Sequence, residues 1–212
     1  MLFLFKAFVS LLIVVNPIDS LTYYFALTAD RPLDERQAIA RVATLAATAF
    51  LLAAIWLGEL VLEIFGIGIG AFEVGGGLIL LLMAISMLQA RPSAMARTRA
   101  EEEEAAELEN IAVVPLAMPL IVGPGVISMA ILLADEAGGF LGRVALSVIA
   151  VLVMGILWWL LKKAEPVADF LGVTGANILL RVAGLILAGI AVQIIANGLV
   201  TLFPGLGPVQ LD

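Results

Sequence analysis

Six long apolar segments run through the chain, and they constrain its fold more than any other feature of the sequence. They cover about residues 2–27, 38–62, 67–88, 111–134, 141–161 and 176–203. A helix needs about 20 predominantly apolar residues to cross a bilayer core, and each segment is close to that length. The alternation of apolar and polar residues that is typical of membrane β-barrels does not occur. The sequence therefore predicts an all-α membrane protein with six transmembrane helices.

Composition narrows the chemistry that such a protein can perform. Of its 212 residues 63% are hydrophobic and 14% are charged, whereas soluble domains are nearer half and a quarter. The absence of Cys and His excludes disulfides and the usual zinc, haem and iron–sulfur ligand sets. It also removes the commonest general base, so we expect no enzyme and no cofactor. The net charge of −7 argues against nucleic acid, and no P-loop motif for a nucleotide is present.

The distribution of basic residues predicts the orientation of the chain in the membrane. Basic residues are concentrated in the connections after the first, third and fifth segments, namely Arg31, Arg36, Arg41, Arg91, Arg97, Arg99, Lys162 and Lys163. The other side has only Lys6 and Arg143 near the ends of its segments. Cytoplasmic loops carry the excess of Lys and Arg. We therefore expect both termini to lie outside the cytoplasm, in an inner or plasma membrane.

A probable internal repeat divides the chain into two halves of three segments. The tetrapeptide Gly-Leu-Ile-Leu begins at Gly77 and again at Gly184, 107 residues later, and the same offset relates Pro17 to Pro124. A polar cytoplasmic linker, residues 91–109, separates the first repeat, 1–90, from the second, 110–212, within one membrane domain. Because each half has an odd number of segments, the second must enter the membrane from the opposite side. This is the inverted-topology repeat of many secondary transporters.

Two helix breaks lie at corresponding places near the middle of the first and fourth segments. Proline removes a backbone donor, and the freed groups must be buried in protein or line a polar cavity. Paired breaks indicate a transporter binding site, whose helix starts would suit a carboxylate. For either break alone, a proline kink in a packed bundle is the alternative. The predicted substrate-binding residues are Asn16, Pro17, Asp19, Ser20, Gly123, Pro124, Gly125 and Ser128.

Several of these stretches resemble the MarC family of membrane proteins along nearly the whole chain. They are NPI at residue 16, FALT at 25, VGGGLILLLMAISML at 74 and PLAMPLIVGPGVIS at 115. The resemblance implies six spans with an inverted repeat and transport of small neutral amino acids such as glycine and alanine. Family members usually have Gly-Asn where this chain has Asp19-Ser20, and often Arg where it has Glu73. Both differences place an acid within the membrane.

The charged residues inside the segments have more than one interpretation. Ionisable groups within membrane spans are costly and usually functional, so Asp19 is a candidate carrier of a coupling H⁺ or Na⁺. The alternative is that Asp19 caps the helix that follows the break. Glu73 and Arg181 are predicted to pair as a structural or gating lock. Gln193 and Asn197 line a polar path or form interhelical hydrogen bonds.

The predicted function is therefore a secondary active transporter of small neutral amino acids that works by alternating access. The substrate would bind between broken helices 1 and 4. A channel or an exporter for another small solute, or a membrane scaffold without transport, are the alternatives. The sequence leaves the oligomeric state and the direction of transport open.

Overall fold

The computed structural model describes residues 2–28, 31–90 and 111–206, and these residues are almost entirely helical. The predicted linker, most of which lies in 91–110, and the last residues of the second repeat lie outside the described ranges. The helices are α1 (Leu2–Val15), α2 (Pro17–Thr28), α3 (Leu33–Phe65), α4 (Ile69–Leu88), α5 (Ala112–Ile121, π-helical), α6 (Pro124–Ala137), α7 (Gly139–Lys162) and α8 (Ala164–Leu202). A short 3₁₀ turn, Pro204–Leu206, follows α8.

Five helical stretches in the described chain are long and apolar enough to cross a membrane. They are Leu2–Phe25, which joins α1 to α2, and α3, α4, α7 and α8. A sixth is obtained when α5 and α6, which meet at a bend of 64°, are counted as one span. Large apolar side chains are exposed on the outer faces of the helices, including Leu57, Leu152 and Leu185. An all-helical membrane protein is thereby confirmed, with five or six spans.

Two helices begin earlier in the chain than the apolar segments predict. Helix α3 begins at Leu33 and has Asp34 and Glu35 in its first turn, where the helix dipole favours acidic side chains. Helix α8 begins at Ala164, but Gly172 has φ 57° and interrupts its regular geometry. Both extra turns are polar or mixed in character, so a search for apolar runs does not include them.

Helices α4 and α8 form the most extensive helix–helix contact in the described chain, and they run antiparallel. Two glycines allow the close approach. A Cβ built on Gly77 would lie 3.1 Å from the carbonyl oxygen of Ala191, and a Cβ on Gly184 would lie 3.0 Å from that of Ala84. Lipid tails are as apolar as leucine, so membrane helices associate by close packing of small residues of this kind.

A second antiparallel pair, α3 and α7, is joined by polar contacts near the ends of the helices. Arg143 near the start of α7 forms an ion pair with Glu59 near the end of α3. The indole of Trp56 donates a hydrogen bond of 3.0 Å to the hydroxyl of Ser147. Helices α1, α5 and α6 pack against these two pairs. The α3–α7 and α4–α8 pairs therefore surround the two broken spans.

The antiparallel packing of α4 and α8 separates two residues that the sequence predicted to pair. Glu73 lies beside Gly198, since a Cβ built on that glycine would lie 2.8 Å from the Cβ of Glu73. Arg181 lies one turn before Gly184, which contacts the far end of α4. Seventeen helical residues separate 181 from 198, which corresponds to about 25 Å at 1.5 Å per residue. The predicted Glu73–Arg181 pair is therefore wrong.

The packing of α4 on α8 predicts different outcomes for two neighbouring glycines. Gly77→Ala places its methyl group 2.6 Å from Cγ1 of Ile195, so we expect it to destabilise the fold by about 1–3 kcal/mol. Gly75→Ala meets nothing within 4 Å and gains up to about 1 kcal/mol of helix propensity. The midpoint of thermal unfolding in detergent should fall only for Gly77→Ala, and equal midpoints would contradict the assigned packing.

Candidate binding site at the two helix breaks

The first break is a single residue, Asn16, between α1 and α2. Its φ of 49° lies in the left-handed region, which Asn tolerates better than most residues. Helical geometry is disfavoured for a residue that precedes proline, and Pro17 follows directly. The amide of Ser20 then donates to the carbonyl of Asn16 at 3.1 Å, which is the first backbone bond of α2. The sequence Asn-Pro thus ends one helix and begins the next within one residue.

Side chains around the first break satisfy the backbone groups that it frees. Asn16 occupies the N-cap position of α2, and its Oδ1 lies 3.5 Å from the amide of Asp19. Its Nδ2 donates to the carboxylate of Asp19 at 2.5 Å. The hydroxyl of Ser20 donates to the carbonyl of Val15 at 3.2 Å. The residue at the cap of α2 is therefore Asn16, and Asp19 is held against it in the first turn.

The second break is wider and lies between α5 and α6. Within α5, Val114 and Met118 have extended backbone angles, and each immediately precedes a proline. Gly123 is also extended, and a Cβ there would lie 3.0 Å from the carbonyl oxygen of Pro119. Pro124 begins α6 at the first helical position, where its missing N–H leaves no intrahelical bond unmade. A glycine is therefore needed where the chain turns into α6.

The start of α6 differs from the start of α2 because no side chain caps it. Gly123 stands at the cap position and has no side chain to accept a hydrogen bond. The next residue with an amide is Gly125, and Val126 follows it. Neither amide has a helix carbonyl one turn earlier within α6. The helix dipole and these amides together make this end a favourable position for an anion.

A cavity of about 50 Å³ lies between the two breaks. Six of the eight predicted residues line it: Asn16, Asp19, Ser20, Gly123, Pro124 and Gly125. The remaining lining residues are Val14, Val15, Tyr23, Met83, Pro119, Leu120, Ile121 and Val126. The two breaks, which are far apart in sequence, therefore face a common space.

Two predicted residues do not line this cavity. Pro17 shapes the break but is not among the lining residues. Ser128 is buried in the contact between α6 and α4, where a Cβ built on Gly76 would lie 3.1 Å from its own Cβ. Conversely, the sequence did not indicate Met83. Helix α4 is apolar along almost its whole length, so its pattern alone does not mark which residue reaches the cavity.

The walls of the cavity have opposite polarity. On the α2 side stands the carboxylate of Asp19, the only Asp or Glu among the lining residues. On the α6 side stand the amides of Gly125 and Val126 at an uncapped helix start. A carboxylate attracts cationic groups, and a helix start attracts anionic groups. The arrangement is therefore suited to a small solute that carries both charges.

A larger cavity of about 600 Å³ lies between α1, α4, α6 and α8, toward the start of α1. Polar and charged residues line part of it, among them Lys6, Ser10, Glu73, Asp135, Glu136, Gln193 and Asn197. Lys6 donates to Glu136 at 2.7 Å, and Gln193 donates to Asn197 at 2.9 Å within α8. Positions 6, 10 and 14 share one face of α1. Since Val14 lines the smaller cavity, the two cavities follow each other along that face.

The sequence was compared with known protein families. The profile of the MarC family integral membrane proteins matches residues 1–203. The chain belongs to the MarC family. MarC relatives include UPF0056 membrane protein MJ1677 of Methanocaldococcus jannaschii, which is 39% identical over 91% of this chain and 94% of its own. UPF0056 membrane protein BU267 of Buchnera aphidicola is 34% identical, over 95% and 94%. UPF0056 membrane protein YhcE of Escherichia coli is 31% identical, over 95% and 94%. No solved structure matches this MarC chain.

The left-handed backbone of Asn16 gives a prediction for stability. Asn16→Ala removes the cap and places a Cβ residue without a local hydrogen bond at φ 49°, so we expect a loss of about 1–3 kcal/mol. Asn16→Gly removes the cap but adopts this φ freely, and should cost only a few tenths of a kcal/mol. Thermal unfolding in detergent should rank the wild type first, Asn16→Gly second and Asn16→Ala last. The reverse order for the two variants would contradict the assigned backbone.

Proposed function

We propose that this MarC protein is a secondary active transporter of small neutral amino acids, without enzymatic activity. The observation that carries the proposal is the cavity shared by the two helix breaks, with a carboxylate on one wall and an uncapped helix start on the other. Its ligand chemistry matches the two ends of an amino-acid zwitterion. The MarC resemblance of the sequence points to the same substrate class.

Each end of the substrate has a partner in the proposed complex. The substrate carboxylate accepts hydrogen bonds from the amides of Gly125 and Val126 at the start of α6. The substrate ammonium lies against the carboxylate of Asp19, as a charge-assisted hydrogen bond. A cavity needs about 10–15 Å³ to hold one water molecule, so 50 Å³ corresponds to roughly three to five water-sized positions. Glycine and alanine are the amino acids closest to that size.

Contacts between the halves support an inverted repeat as the framework for transport. Helices α2 and α6 begin at Pro17 and Pro124, which are 107 residues apart. Gly77 packs on the carbonyl of Ala191, and Gly184 packs on that of Ala84. The same offset converts the first contact into the second. This reciprocity is expected of two repeats related by a pseudo-two-fold axis in the membrane plane.

Ion pairs support the same relation between the repeats. Arg36 of α3 pairs with Glu165 of α8 at 2.8 Å, and Arg143 of α7 pairs with Glu59 of α3. The two arginines are 107 residues apart, and each glutamate lies within one position of the other's equivalent. We infer that α3, α7, α4 and α8 form a frame in which the broken spans rock to alternate access. The cavity of about 600 Å³ is then the vestibule on the non-cytoplasmic side, as the basic residues orient the chain.

The first prediction of this proposal concerns transport by the purified protein. In liposomes it should take up labelled glycine and alanine in a saturable manner, competed by unlabelled glycine. Uptake should be measured with a proton gradient, with a sodium gradient and with none, beside protein-free liposomes. Acetate and methylamine, which carry only one of the two charges, should compete poorly because each satisfies only one wall of the site.

Three results would count against a transporter of this kind. Conduction that does not saturate with substrate would favour a channel. Uptake competed equally by acetate would contradict recognition of the zwitterion. Absence of uptake in every condition, from protein that remains folded and monodisperse, would favour a scaffold without transport.

The second prediction concerns Asp19. Asp19→Asn preserves the shape of the side chain and removes its charge, so we expect KM for glycine to rise about tenfold or more because the ammonium loses its charged partner. Asp34→Asn, at the exposed start of α3, is the matched control and should leave KM unchanged. If Asp19 also carries the coupling ion, the gradient dependence should disappear in Asp19→Asn. Wild-type KM in that variant would exclude the ammonium contact, and retained gradient dependence would exclude the ion-carrier role.

A further inference from the structure

Met83 is the one residue of α4 that lines the cavity between the breaks. It lies beside the start of α6, because a Cβ built on Gly125 would lie 3.2 Å from Sδ of Met83. The same hypothetical Cβ would lie 3.5 Å from Leu80, which does not line the cavity. The thioether of Met83 therefore lies over the amides proposed to hold the substrate carboxylate.

The other walls of the cavity offer less freedom to adjust. Asn16 is fixed by its cap hydrogen bonds, and Pro119 and Pro124 have constrained rings. Gly123 and Gly125 have no side chain to move. Methionine, by contrast, has three rotatable side-chain bonds and fills irregular gaps. The end of the Met83 side chain is thus the most adjustable boundary of the cavity.

We propose that Met83 determines the largest side chain that the transported amino acid can carry. The inference rests on the proposed function and deepens it. With the carboxylate at Gly125 and the ammonium at Asp19, the substrate Cα lies between the two breaks. A substituent on Cα that extends toward α4 meets the thioether of Met83. Glycine and alanine fit below it, and side chains with two or more further carbons do not.

Gly125 forms the second half of the same boundary. A methyl group at this position would project toward Sδ of Met83 and occupy space that the substrate needs. Gly125→Ala should therefore act in the opposite direction to removal of the thioether. The two changes should also be coupled, because shortening Met83 gives the new methyl group room.

The experiment measures selectivity as the ratio of valine uptake to glycine uptake, in liposomes containing the full chain. Burying each CH₂ favours binding about fourfold, so two further carbons accommodated by Met83→Ala should raise this ratio about tenfold or more. Met87→Ala is the matched control: it lies one turn along α4 against Gly184 and outside the cavity, so the ratio should not change. A ratio is independent of the amount of protein that folds.

Gly125→Ala provides a second, independent measurement. It should lower alanine uptake relative to glycine uptake, and Met83→Ala in the same chain should reverse that loss. An unchanged valine ratio in Met83→Ala, or the same shift in Met87→Ala, overturns the inference while wild-type glycine uptake continues. If Met83→Ala does not fold, normal alanine-to-glycine selectivity in Gly125→Ala overturns it. Absence of wild-type uptake would instead overturn the proposed function itself.

Discussion

The need to satisfy backbone groups where a membrane helix is broken governs the rest of this structure. Unpaired N–H and C=O groups in a bilayer core cost several kcal/mol each, so breaks persist only inside protein or beside a polar cavity. This chain has two breaks and resolves them differently. Asn16 and Ser20 satisfy the first with side chains. The second has a glycine at the cap position of α6, and its first amides face the cavity.

The surrounding helices hold these two breaks against each other. Apolar side chains gain little from leaving lipid, so the frame depends on close packing and on polar contacts. Gly77 and Gly184 bring α4 and α8 together, and the Arg143–Glu59 pair joins α3 to α7. Each of these contacts links one half of the chain to the other. The distance between the breaks is therefore fixed by contacts between the halves, and not by either broken span alone.

The sequence was sufficient to predict the spans, the two breaks and most of the site. Apolar length and proline position are local properties, so they survive without knowledge of packing. Six of eight predicted residues line the cavity for that reason. The starts of α3 and α8 were predicted too late, because acidic or mixed first turns do not look like membrane segments.

Packing between helices could not be predicted in the same way. The 107-residue offset identifies equivalent residues, and equivalent residues in antiparallel repeats do not need to touch. Gly77 contacts Ala191 and not its equivalent Gly184, and the same geometry separates Glu73 from Arg181. Met83 shows the converse: nothing in an apolar helix marks the one residue that reaches the site, because only the crossing of α4 over α6 selects it.

The different treatment of the two breaks gives the site a direction. A site with two uncapped helix starts would favour anions, and one with two acidic walls would favour cations. Here Asn16 caps one helix start and holds Asp19 beside the cavity, while the other start keeps its amides open. A simple anion gains at α6 but is repelled by Asp19, and a simple cation gains at Asp19 but is disfavoured by the helix dipole. Only a solute with both charges, spaced by a few atoms, satisfies both walls together. Selectivity for a zwitterion thus follows from the asymmetry that separates Asn16 from Gly123.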